Sequence, residues 1–193
     1  MNKKYELINE IKEFNGVVLH RIKALKDFSD IKAGDLGGFI EKEENLSHNG
    51  DCWIYDNACV YGNAYVYGDA YICNNACVFG NARVFGNAYV YDYVRVFGDA
   101  HVYGDACVCD NARVNNDANI KSKFDACTFN GFGTEARTTT AYRCDNNLIK
   151  INCGCFNGTI DEFRNRIKET RKGKIQREYL LMCDMIEEHF KEE

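Results

Sequence analysis

From Cys52 to Lys123 the chain repeats every six residues, twelve times in succession and without interruption. Typical units are Ala58-Cys-Val-Tyr-Gly-Asn63, Ala64-Tyr-Val-Tyr-Gly-Asp69 and Ala82-Arg-Val-Phe-Gly-Asn87. A short fixed period means that each unit must stack on its neighbours to bury its apolar face. The third position is Val or Ile in all twelve units, the first is Ala in ten, and the last is Asn or Asp in ten. β-Branched residues favour a pleated strand. Alternation then puts the first and third residues on one face and the second and fourth on the other. The Gly-Asn and Gly-Asp pairs tolerate positive φ and turn the chain. Each unit is a short strand plus a corner, with alanines where the walls crowd and valines filling the interior. Proline is absent, as suits an array of ladder-paired strands that need every N–H.

This pattern resembles the hexapeptide-repeat, left-handed β-helix family, whose motif is an aliphatic residue followed four places later by a small one, here Val60 to Ala64. The resemblance implies a mainly β fold, a left-handed parallel β-helix with three units per triangular coil. The 72 residues of the repeat then give about four regular coils, a rod roughly 20 Å long at the usual strand spacing. Ile40–Asn45 and Leu46–Asp51 keep the phase loosely and are expected to form a leading partial coil.

With three units per coil, residues eighteen apart stack on one outer face. One such face carries Trp53, Tyr71 and Tyr89, flanked by Tyr55 and Tyr91. Outward aromatics of this kind either ladder across strands or are covered by another subunit. Family members commonly form trimers about an axis parallel to the rod. The resemblance therefore implies a homo-oligomer, a trimer, with these five residues as its oligomer or stacking face.

Three segments are expected: an N-terminal β cap at 1–51, the β-helix at 52–123, and a small C-terminal α+β module at 124–193. In the first, Val17–Leu25 reads as strand and Lys32–Gly38 as turn chemistry. Asp30–Ile40 with Leu46–Asp56 resembles the opening of bacterial hexapeptide proteins labelled as transferases, and of phage-borne relatives. In the last, Thr138–Arg143 and Leu148–Phe156 read as a hairpin across Cys144–Asn147. Thr159-Ile-Asp-Glu162 is a capping box that opens a helix, and a second helix follows with Tyr179, Met182, Cys183, Ile186 and Phe190 on one stripe. The expected order is β-β-α-α. Thr138–Tyr142, Cys153-Gly-Cys-Phe156 and Gly158–Phe163 resemble a module at the C-terminus of phage and prophage proteins.

The formal net charge of −5 gives no strong nucleic-acid signal, and no apolar run approaches the ~18 residues of a membrane span. The opening segment lacks the apolar run of a secretory signal. Eleven cysteines, an odd number without C-x-x-C spacing, suit free thiols in a reducing cytoplasm, the host cytoplasm for a phage-encoded chain.

The family resemblance implies an acyltransferase in which a histidine activates the acceptor and an acyl-thioester cofactor lies between subunits. The matching residue is His101, the single histidine of the repeat and a weak candidate, since no long loop interrupts the coils. Cys153 and Cys155, two apart on one expected strand, face one side and could pair or pack. The residues themselves point to no cofactor and no metal. A ligand-binding set is expected in the basic tail: Arg137, Thr138, Thr140, Tyr142, Arg143, Arg164 and Arg166, beside the Thr159 helix start. The sequence therefore favours a non-catalytic, oligomeric binding protein, phage-borne and counter-defence, that sequesters a phosphorylated small molecule such as a nucleotide signal or blocks a host protein. A hexapeptide-type acyltransferase and a structural, polymerising rod are the alternatives.

Overall fold

The computed structural model describes residues 3–191. The twelve repeats form twelve two-residue strands, β4 to β15, from Trp53–Ile54 to Asn119–Ile120. They wind into a parallel β-helix with three sheets. Trp53, Tyr71, Tyr89 and Cys107 are in register on the first. Cys59, Cys77, Arg95 and Arg113 are in register on the second, and Tyr65, Arg83, His101 and Asn119 on the third. The eighteen-residue spacing read from the sequence is thus the observed stacking. Two additions lengthen the rod from four coils to about five. Strand β3 (Leu36–Ile40) pairs parallel to Cys59–Val60, and Leu46 bridges to Val66. The leading partial coil is present but two residues out of the repeat's phase: Ile40 and Leu46, at the alanine place by counting, pair with Val60 and Val66 and are buried with the rest of the core.

All twelve third-position Val and Ile side chains are at most 2% exposed and share one cluster with the corner alanines. The corners are sorted by residue type. One is lined by Asp56, Asn74, Asp92 and Asp110, at φ between 53° and 64°. The others are built on Gly62, Gly80 and Gly98 and on Gly68, Gly86 and Gly104, also at positive φ. A Cβ on Gly86 would lie 2.8 Å from the amide nitrogen of Gly104, one coil on, so a side chain has no room there.

Along the rod the ladder bonds are those of parallel strands, running alternately toward the next coil and back. Trp53 N–H donates to Ala70 O, Tyr71 N–H to Ala88 O, and Tyr89 N–H to Ala106 O. The first and the last coil are each left with an open edge of backbone groups. The two ends of the chain answer in kind. At the start, Lys4 Nζ donates to Cys52 O at 2.8 Å and to Gly50 O at 3.1 Å. Tyr5 Oη donates to Leu46 O at 2.7 Å, and Asn45 Nδ2 to Ala64 O at 2.8 Å. At the finish, Arg113 N–H donates to Thr140 Oγ1 at 3.0 Å, and Ser122 N–H to Asp125 Oδ2 at 2.8 Å.

The N-terminal strands β1 (Tyr5–Phe14) and β2 (Val17–Ala24) form an antiparallel hairpin that continues the second sheet through β3. The turn expected across Lys32–Gly38 ends before Leu36. Gly37 and Gly38 lie inside β3, where a Cβ would stand 2.6 Å from Ile22 Cγ1 or 2.5 Å from Ile54 Cγ2. They are glycine for close approach to the first coil, not for turning.

The C-terminal order β-β-α-α becomes β-β-β-β-α-α. Strands β16 (Ala126–Phe132), β17 (Arg137–Arg143), β18 (Ile149–Cys153) and β19 (Phe156–Thr159) make an antiparallel sheet in chain order. The segment read as one strand through Phe156 folds back at Gly154-Cys155, with Gly154 at φ 61° and Cys153 paired to Phe156. Helices α1 (Ile160–Thr170) and α2 (Gly173–His189) follow. The capping box is formed: Glu162 N–H donates to Thr159 Oγ1 and Thr159 N–H to Glu162 Oε2. Tyr179, Met182, Cys183 and Ile186 are buried with Phe163 and Ile167 in a core of this module's own. Tyr142 and Cys144, by contrast, belong to the core of the rod. Among the described residues no helix is long and apolar enough to cross a membrane.

Candidate functional site

The third sheet presents His101 on its outer side, half-exposed, with Arg83 one coil before it in register. A groove of about 490 Å³ on this face is lined by Asn63, Asn81, Arg83, Asp99 and His101. Its floor is ordered by a ladder of amides: Asn63 Nδ2 donates to Asn81 Oδ1 at 3.2 Å, and Asn81 Nδ2 to Asp99 Oδ1 at 2.9 Å. Asp99 stands at a corner, as its place in the repeat requires, yet its carboxylate shares the groove with the imidazole. The site therefore offers a proton acceptor beside one cation and one anion, a minimal set for activating a hydroxyl or amine.

The aromatic face is partly covered by the chain itself. Trp53 is 1% exposed beneath Phe28, whose ring meets it edge-on at 5.3 Å, and Tyr5. Trp53 thus anchors the N-terminal cap and is withdrawn from any oligomer face. The cap supplies the cover that the repeat pattern cannot reveal. Tyr55 Oη donates to Asp30 Oδ1 at 3.0 Å, and burial and that carboxylate push its phenol pKa up. Tyr71 Oη lies 3.1 Å from Ser29 Oγ, and its ring stacks on Tyr89 at 5.0 Å. Tyr89 remains 47% exposed, while Tyr91 turns toward Cys107 Sγ.

The basic tail divides. Tyr142 and Thr140 are buried, and their hydroxyls serve the end of the rod: Tyr142 Oη donates to Asn115 Oδ1, and Thr140 accepts from Arg113 N–H. Both leave the ligand set for this reason. Arg143 pairs with Asp125 at 3.1 Å and lies over the Phe190 ring. Arg164 is held by Asp184 and Glu187. The two residues that do come together are Arg137 and Arg166, which line one cavity of about 160 Å³ with Arg171 and Tyr179. Thr138 donates to Asn130 Oδ1 at 2.6 Å and lines a neighbouring groove. That groove also contains Tyr93, Arg95 and Arg113 from the rod. Their meeting with Arg137 was not readable from the repeat, since it depends on how β17 crosses the last coil.

Cys153 and Cys155 do not share a strand face. The hairpin turn buries Cys153, where it accepts from Thr139 Oγ1 at 3.2 Å, and exposes Cys155. A thiol pair on one face is thereby excluded. Among the described residues no group of three His, Cys, Asp or Glu side chains stands ready to hold a metal.

No family model matches the chain. Over 73 residues it is 40% identical to a protein of Escherichia coli (strain K12) named uncharacterized acetyltransferase YdcK, a match covering 33% of this chain and 22% of that protein. The chain spans about a fifth of the length of that curated relative. Over that stretch, this β-helical chain is similar to a protein named as an acetyltransferase.

Proposed function

We propose that the protein is a hexapeptide-type acyltransferase that uses the His101 groove. The observation that carries this reading is the placement of His101 with Asp99 and Arg83 in one groove of a parallel β-helix. The similarity to a protein named as an acetyltransferase supports it. In the reaction, the His101 imidazole accepts the proton of an acceptor hydroxyl or amine as that atom attacks the thioester carbonyl of the donor. The acyl carbon–sulfur bond then breaks and the thiol leaves. Arg83 supplies positive charge beside the reacting groups, and Asp99 fixes the polar side of the groove. The rod carries no loops over this face, so a neighbouring subunit is the natural second wall. Homo-oligomerisation, as a trimer, is part of the proposal.

The test is release of free thiol from acetyl-coenzyme A in the presence of a panel of small hydroxyl and amine acceptors. Acceptor-dependent release that disappears in His101→Ala supports the reading. Release that is unchanged in His101→Ala, or absent with every acceptor, overturns it.

The non-catalytic reading favoured by the sequence keeps one supporting observation, the convergence of Arg137 and Arg166. The phage and counter-defence parts of that reading have no further support in the fold or in the comparison. A rod that polymerises end to end is disfavoured, because both open ends are already covered by donors and acceptors of the same chain.

A further inference from the structure

Arg95 and Arg113 are directly opposed in adjacent parallel strands, and both are exposed. Like charges in direct register repel, so a sheet does not place them there for stability. Among the described residues the arginine ion pairs are those of Arg21, Arg137, Arg143 and Arg164. Arg95 and Arg113 have no carboxylate partner. The C-terminal sheet adds a third arginine, paired only with the exposed Glu135. Arg137 closes the same groove, about 590 Å³ in volume, with Thr138 and Tyr93 on its walls. Gly154 makes this possible: a Cβ there would lie 2.8 Å from Arg137 Nη1. Across Gly154, Arg137 also borders the more enclosed cavity of Arg166 and Arg171, floored by Phe163 and Tyr179. One guanidinium thus joins two basic recesses, one on the rod and one in the module.

We propose that this joined groove binds a ligand with linked phosphates and a flat ring, the chemistry of a nucleoside diphosphate or triphosphate. Guanidinium groups meet phosphate oxygens bidentately, and two recesses bridged by Arg137 match two linked phosphates. The volume lies within the usual range for small-molecule sites. Tyr93, 64% exposed at the rim, offers a face on which a base stacks. Glu135 holds Arg137 in the free protein, and at 65% side-chain exposure it is free to turn outward when phosphate arrives. The site does not depend on acyl transfer: it sits on the second sheet, and His101 on the third.

The test is titration calorimetry on the intact protein at physiological salt, with pyrophosphate, ADP, adenosine and coenzyme A as probes. Pyrophosphate and ADP are expected to bind saturably, one per chain, and adenosine not at all. Arg113→Gln and Arg137→Gln should each weaken ADP at least tenfold. Tyr93→Ala should weaken ADP and leave pyrophosphate unchanged. Lys32→Gln, at the far end of the rod, should change neither. Coenzyme A that displaces ADP would identify the phosphates as those of a thioester donor, and ADP binding without such displacement would identify a free nucleotide. Absence of saturable binding by both pyrophosphate and ADP overturns the proposal. So does undiminished ADP binding in both Arg113→Gln and Arg137→Gln, with circular dichroism showing each variant folded.

Discussion

Lys4 Nζ donates to the backbone carbonyl of Cys52 at 2.8 Å, in the place where the next coil's amide would stand if the rod continued. Lys4 is 1% exposed, and burial holds its pKa below the ordinary lysine value. A lysine is kept in such surroundings because it brings three donors and no acceptor to the carbonyls of Gly50 and Cys52.

Lys4→Met should therefore lower stability by about 2 kcal/mol, a fall of roughly 4–8 °C in Tm, because the carbonyls of Gly50 and Cys52 lose their partner inside the protein. Urea unfolding of the variant measures this directly. A midpoint equal to that of the parent protein would show that water satisfies these carbonyls instead.

Gly86→Ala should cost about 2 kcal/mol or more, since the new Cβ meets both an unfavourable φ of 71° and the amide of Gly104 at 2.8 Å. Gly16→Ala separates the two contributions. Gly16 has φ 78° and nothing within 4 Å of the added atom, so its variant carries the φ cost alone. Equal losses in the two variants would mean that coil contact adds nothing.

Stability should fall steeply in alkali. Burial pushes the Cys183 thiol pKa up to about 11 and that of Cys144 up to about 12, from an ordinary 9.0. The unfolded chain releases these protons from about pH 9, while the folded chain retains them. This stabilisation is fully present below pH 9 and is lost as pH rises through 11 to 12. Urea midpoints between pH 8 and 10.5 should show the fall, and Cys183→Ala should flatten its slope. An identical slope in that variant would remove Cys183 from the account.

Sedimentation should report a particle near three times the 22.0 kDa chain mass. Tyr89→Asp, at an aromatic position 47% exposed on the first sheet, should shift it toward the monomer. A parent protein that sediments at 22.0 kDa would end the trimer proposal and with it the second wall of the His101 groove.

What could be read from the sequence followed from periodicity. Val60 above Val78 and Arg95 above Arg113 come from counting eighteen, because one coil is a fixed number of residues. The leading coil is legible only as a loose continuation, because Ile40 pairs with Val60 and Leu46 with Val66, twenty residues on rather than eighteen. The candidate site was less legible because it lies where the period stops. Thr140 and Tyr142 share a strand face with Thr138, and alternation alone cannot tell whether that face meets solvent or the open end of a rod. Trp53 has the spacing of an outward residue, and only the packing of Phe28 shows that it is inside. Cys153 and Cys155 are separated by a two-residue hairpin at Gly154, a turn that the strand-like alternation of Leu148–Phe156 conceals.

The parallel ladder makes each coil present the same edge to the one that follows. The starting edge is met by Lys4 and Tyr5, the finishing edge by Thr140 and Asp125, and neither closure depends on how many coils lie between. Length is therefore adjustable in steps of eighteen residues: a duplicated coil slips between the caps with both still matched.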